Sequence, residues 1–112
     1  MIAQSGYVLD MARAYKTFGD PKYLDALKRG ADFLVERFRD PNYGGYYFRV
    51  HKQGSVIDRS KDGYGHAFAI HSLAAAANAT GDQRYAKKAI ECWGVVRMEM
   101  MQPGGGLVSR AA

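Results

Sequence analysis

Apolar residues along most of this chain recur with a helical rhythm, broken once by a short run that reads as strand. Val8, Met11, Ala12, Tyr15 and Phe18 form one stripe and predict a helix over residues 3–18. Gly19 ends it, Asp20 is placed to cap the next helix, and Pro21 takes the first helical position, where its missing N–H costs nothing. Tyr23, Leu24, Leu27, Ala31, Leu34, Val35 and Phe38 form the second stripe, so that helix runs to about Phe38. Asp40-Pro41-Asn42-Tyr43-Gly44-Gly45 is a turn cluster, because the residue before Pro41 disfavours helix. Tyr46 to Val50 is aromatic and β-branched, Lys52-Gln53-Gly54 turns, and Ser55 to Asp58 returns, which predicts a β-hairpin over about 45–58. Tyr64 to about Ala79 is a third helix, made thin by its many alanines. Gly81 ends it, Asp82 caps the fourth helix, Gln83 to about Met101, and Pro103-Gly104-Gly105-Gly106 breaks that.

The pattern repeats. Gly19-Asp20-Pro21-Lys22-Tyr23 aligns with Gly81-Asp82-Gln83-Arg84-Tyr85 at an offset of 62, with Leu27 on Ala89 and Phe33 on Val95. Each copy is helix, Gly-Asp turn, helix, giving repeat units over about 3–38 and 64–101. Tetratricopeptide units share the Gly-Asp turn, but their period is about 34 residues and leaves no room for an intervening hairpin.

Composition narrows the class. A chain of 112 residues with 47% hydrophobic and 24% charged residues is one small globular unit at most. No apolar run approaches the roughly 20 residues of a membrane span, so no membrane partner is expected. Met1-Ile2-Ala3-Gln4-Ser5 shows no signal-peptide pattern, which favours a cytoplasmic location. The net charge of +5 is spread over basic residues interleaved with Asp and Glu, a solvated surface rather than a nucleic-acid footprint. Cys92 is the single cysteine and reads as a buried, inert thiol. Gly44-Gly45 has no Gly-Lys-Ser after it and is a tight turn into the strand, not a phosphate loop.

One order of motifs is specific. A Gly-Asp-x-x-Tyr turn comes first, then Asp40-Pro41-x-x-Gly44-Gly45-Tyr46 and a strand. Gly54-Ser55-Val56-Ile57-Asp58 follows, and Lys61-x-x-Tyr64-x-His66-Ala67-Phe68 opens a helix ending in Thr80-Gly81-Asp82. Over roughly residues 7–100 this order resembles the N-acylglucosamine 2-epimerase family of sugar epimerases and aldose–ketose isomerases. The resemblance implies an all-α fold: a partial (α/α)6 barrel, residues 1–112, of two αα-hairpins with a small β-hairpin insertion. It implies proton transfer at sugar C2 through an enediol-type intermediate, served by histidines that lie beyond the part matched here. No catalytic residue, metal or cofactor is therefore expected in this chain, and little activity from it alone.

What the resemblance carries over is a substrate-binding pair, Tyr64 and His66. Tyr64 matches a family tyrosine at the mouth of an inner helix, where a phenol can hydrogen-bond a sugar hydroxyl and present an apolar face to the ring. It can equally be a structural helix-start aromatic. His66 stands where the family has glutamine or histidine. It is either a satisfied helix-end histidine or a polar group facing the sugar. His71 lies about 140° further round, so the two cannot pair as metal ligands. The family's first-helix arginine has no counterpart in Ser5-Gly6-Tyr7-Val8-Leu9.

Two other classes stay open. Asp58 and Asp62 suggest the carboxylate pair of a glycoside hydrolase on the same barrel type, although Asp62 also reads as an N-cap. A non-catalytic helical-repeat module is the other. The expected partners are a small-molecule sugar and a homo-oligomer that covers exposed barrel edges.

Overall fold

The internal repeat sets the architecture. A computed structural model describes residues 1–101, and the Pro103–Gly106 breaker lies outside them. Helices α1 (Ile2–Phe18) and α2 (Pro21–Phe33) form one hairpin, and α3 (Gly63–Thr80) and α4 (Gln83–Val95) the other. Helix α2 runs on into a π-helical turn, Leu34–Phe38, and α4 into another, Val96–Met100. Pro21 to Gln83 and Phe38 to Met100 are each 62 residues apart, so the second arm of each hairpin starts, widens and ends at equivalent positions.

Local chemistry explains the boundaries. The Asp20 carboxylate accepts from the Lys22 N–H at 3.0 Å, and Asp82 from the Arg84 N–H at 2.9 Å. Gly19 and Gly81 close α1 and α3 in the left-handed conformation, at φ 68° and 73°.

Helices α1 and α3 lie side by side, α2 backs α1, and α4 backs α3. The result is a slab of 43 × 31 × 19 Å, whose thinnest dimension is about two helix diameters. Val8, Leu27, Ala31, Leu34, Ala69, Leu73 and Ala76 are fully buried along its middle. Gly30 lets α2 approach α1: a Cβ there would sit 2.9 Å from the Tyr7 ring. The Gln4 side-chain amide donates to the Gly30 carbonyl at 2.9 Å across the same contact. One edge of the slab carries exposed apolar side chains. Ile90, Trp93 and Met98 on α4 and its π turn, and Met101 just after it, are exposed.

The β-hairpin is shorter than the sequence pattern predicts. Strands β1 (Arg49–Val50) and β2 (Val56–Asp58) pair antiparallel with an irregular register. Tyr46 to Phe48 does not join that ladder, because its backbone N–H groups are spent elsewhere. Tyr46 donates to His66, Tyr47 to the Phe38 carbonyl and Phe48 to the Ser60 carbonyl. Tyr46 instead forms an isolated bridge with Arg39, which ties the turn to the end of the first hairpin.

Candidate functional site

Lys61, Tyr64 and His66 all stand at the start of α3, and their side chains go three ways. Asp62 fixes this segment: its carboxylate accepts from the Gly65 N–H at 3.2 Å and caps the helix. That carboxylate is buried and committed to the cap.

Tyr64 projects outward and is 60% exposed. Along the same helix, Ala67, Phe68, His71, Ala74 and Asn78 are exposed too. Steps of three and four residues place them on one face. This open face of α3 continues over α1: a Cβ on Gly6 would lie 3.9 Å from the Phe68 ring. Further along, a groove of about 540 Å³ runs between α1 and α3, lined by Leu9, Ala12, Arg13, Lys16, His71 and Asn78. His71 lies two helical turns from Tyr64, a spacing legible in the sequence once Tyr64 rather than His66 is taken as the origin.

His66 is turned the other way. Two residues apart in an α-helix, Tyr64 and His66 project about 200° from one another, so one face cannot present both. The imidazole is fully buried. Its Nε2 accepts from the Tyr46 N–H at 2.8 Å, and its Nδ1 lies 2.6 Å from the Asp62 carbonyl oxygen, to which it donates. Both ring nitrogens are committed to backbone, and none is left for a substrate. Burial pushes the His66 pKa down, and the Lys61 ammonium adds to this; the Asp62 carbonyl and carboxylate oppose it. The helix-end reading of His66 is the one this geometry supports, and the substrate-facing one has no free ring nitrogen to rest on.

Lys61 reaches back to the turn. Its ammonium lies 3.0 Å from Asp40 Oδ2 and donates to the Gly44 carbonyl at 2.9 Å. Both side chains of this pair are largely buried. Burial pushes the Asp40 carboxyl up, but the Asn42 and Tyr43 N–H groups and Lys61 outweigh it and hold the pKa below the usual range. Around this pair Asn42, Tyr43, Tyr47 and Arg59 complete a cleft of about 350 Å³. The Tyr47 ring lies 5.4 Å from the Lys61 ammonium and 6.0 Å from the Arg59 guanidinium.

Other candidates resolve simply. Asp58 accepts from the N–H and hydroxyl of Ser60, at 2.9 and 2.6 Å. With Asp62 capping α3, the two carboxylates are engaged locally. Burial pushes the Cys92 thiol up to about 12, which suppresses the thiolate at neutral pH. His51 accepts from the Gln53 N–H within the hairpin turn. Among the described residues no three His, Cys, Asp or Glu side chains converge as a metal site, and no helix is long and apolar enough to cross a membrane.

Known proteins share this fold. The chain is 33% identical over 69 residues to a cellobiose 2-epimerase of Bacteroides fragilis, covering 62% of this chain and 18% of that protein. It superposes on the cellobiose 2-epimerase of Spirochaeta thermophila with a TM-score of 0.87 at 28% identity, covering 98% of this chain and 27% of that one. It also superposes on a family 76 glycoside hydrolase from a bovine Bacteroides thetaiotaomicron strain, with a TM-score of 0.82 at 26% identity over 95% of this chain and 22% of that one. The chain thus spans about a fifth to a quarter of the length of these relatives. The family model for N-acylglucosamine 2-epimerase matches residues 1–111, and with the two in-register hairpins and the Lys61–Phe68 helix start this places the chain in the N-acylglucosamine 2-epimerase family.

Proposed function

We propose that this chain is one section of a carbohydrate 2-epimerase or aldose–ketose isomerase, and that Tyr64 is its contact to the sugar. The observation that carries the reading is the exposed Tyr64 phenol on the open face of α3, in a chain whose family works on sugars. A phenol there donates to or accepts from a sugar hydroxyl, and its ring packs on the apolar side of the pyranose.

The reaction needs a base to take the C2 proton and an acid to return it, to C2 for epimerisation or to C1 for isomerisation. Within this chain His66 does not serve. Its lone pair is held by the Tyr46 N–H, so it has no basic site to offer. The general bases belong to elements beyond the two hairpins described here, and the 112-residue chain by itself is expected to be inactive. The test is deuterium exchange at C2 of mannose, N-acetylglucosamine or cellobiose. No exchange is expected from the chain alone. Exchange by the chain alone would overturn the assignment of the bases to other elements.

A second reading, hydrolysis of a glycosidic bond, draws support from the likeness to the family 76 glycoside hydrolase. Against it stands the commitment of Asp62 to the α3 cap and of Asp58 to Ser60. Release of reducing sugar from a mannan, abolished by Asp58→Asn, would favour it over epimerisation.

A further inference from the structure

We propose that His66 is a positioning residue: a neutral donor–acceptor bridge that pins the Gly44–Tyr47 turn to the start of α3 and so sets the wall of the cleft between Asp40, Tyr47 and Lys61. The proposal stands apart from which sugar, if any, the chain binds.

The tautomer follows from the partners. A backbone N–H only donates and a carbonyl only accepts. Nε2, 2.8 Å from the Tyr46 N–H, must therefore carry the lone pair, and Nδ1, 2.6 Å from the Asp62 carbonyl, must carry the proton. A second proton on Nε2 would point at the Tyr46 N–H and break that link. So the ring works only when neutral.

The turn is shaped to receive it. Gly45 has φ +74°, and a Cβ there would meet His66 Nε2 at 2.9 Å. Glycine thus serves two needs at once, the left-handed backbone and the close approach of the imidazole. The far side of the turn is clamped independently by Lys61 on Asp40 and on the Gly44 carbonyl. Between the clamps, the N–H groups of Gly44, Tyr46, Tyr47 and Phe48 are all bonded. That leaves Tyr47 little freedom, and its ring is the part of the cleft facing the two cations. The titratable groups around His66 are Asp62 and Lys61 from the segment before it, Tyr46 from the turn, and Cys92 from α4, whose Sγ lies 4.0 Å from the His66 carbonyl oxygen.

A carboxamide offers the same pair of functions, one donor and one acceptor. His66→Gln is therefore expected to keep the bridge, whereas His66→Leu leaves the Tyr46 N–H buried and unpaired. Two measurements on the full chain test this. In long-range 15N–1H spectra between pH 8 and pH 7 the His66 ring is expected to show the Nδ1–H tautomer. A protonated Nδ1 and Nε2 pair across that range, or the Nε2–H tautomer, overturns the proposal. Amide hydrogen exchange at Tyr46 is expected to stay slow in His66→Gln and to quicken roughly tenfold or more in His66→Leu. Exchange as fast in the glutamine variant as in the leucine variant overturns it. Should His66→Leu fail to fold, the tautomer and the comparison of His66→Gln with the parent chain still decide.

Discussion

The Tyr85 hydroxyl donates to the Asp32 carboxylate at 2.7 Å, joining α4 to α2 across 53 residues of chain. The Tyr85 ring is buried, while its hydroxyl meets a cleft lined by Asp32, Val35, Glu36, Arg84, Lys88 and Glu91. Burial and the Asp32 carboxylate both push the phenol pKa up, so it remains a donor throughout the accessible pH range. This bond links the second arms of the two hairpins, which otherwise meet chiefly through α1 and α3. Tyr85→Phe keeps the packed ring and loses the bond. It is expected to cost about 1 kcal/mol, read as a lower urea midpoint with an unchanged slope.

Gly45 and Gly81 separate backbone strain from crowding. Their φ angles, +74° and +73°, are nearly the same, but nothing lies near a Cβ at Gly81 while His66 Nε2 crowds one at Gly45. Gly81→Ala is expected to cost about 1–2 kcal/mol, the left-handed penalty alone. Gly45→Ala adds the loss of a buried hydrogen bond and is expected to cost at least about 1 kcal/mol more. Thermal unfolding of the two variants side by side measures the difference; equal losses would remove the crowding argument.

Stability is expected to fall in mild acid through His66. Its folded pKa is lowered, so between that value and the unfolded value of about 6.5 the unfolded chain binds a proton that the folded chain refuses. The stabilisation is complete above about pH 6.5 and is lost as pH falls through the folded pKa. His66→Gln should flatten this part of the curve. Asp40 adds a second loss at lower pH: its folded pKa is lowered too, so its contribution is present above the unfolded carboxyl value of about 3.9 and is lost as pH falls through the folded value. Urea denaturation from pH 8 to pH 3 resolves the two steps.

Tyr64 is expected to matter for ligand and not for folding. With 60% of the residue exposed, Tyr64→Ala should change stability by no more than about 0.5 kcal/mol. In a chain completed to the length of its relatives, the same change should weaken sugar binding and turnover, with Tyr64→Phe intermediate. Titration calorimetry with cellobiose and mannose checks binding, and deuterium incorporation at C2 checks turnover. Wild-type affinity in Tyr64→Ala would remove Tyr64 from the site.

The exposed Ile90, Trp93, Met98 and Met101 predict self-association of the isolated chain. Sedimentation velocity should show a species larger than the monomer, reduced by the double variant Trp93→Lys, Met98→Lys. A monomer at all concentrations would show that this edge stays open.

Much of the fold was legible because its signals are local. Asp20, Asp62 and Asp82 cap helices with their own carboxylates, and Gly19 and Gly81 supply the left-handed residue that ends a helix. Composition overstates the strand for the opposite reason. Tyr46 to Phe48 has strand composition, but its N–H groups find partners in His66, Phe38 and Ser60, all outside the paired strands. Likewise the π-helical ends of both hairpins carry the same apolar rhythm as the helices before them, so periodicity alone does not reveal them.

For the candidate site, residue order along the chain was enough to locate the start of α3 and to single out Lys61, Tyr64 and His66. It also contained the 200° between Tyr64 and His66, since that angle is a property of any α-helix. Which of the two met solvent was settled by packing. The Gly44–Gly45 turn folds back over α3 and α4 and seals His66 within it, while among the described residues no element covers the face that holds Tyr64. Short-range stereochemistry places a side chain on one side of its helix. Contacts between segments far apart in sequence choose whether that side is wet or dry.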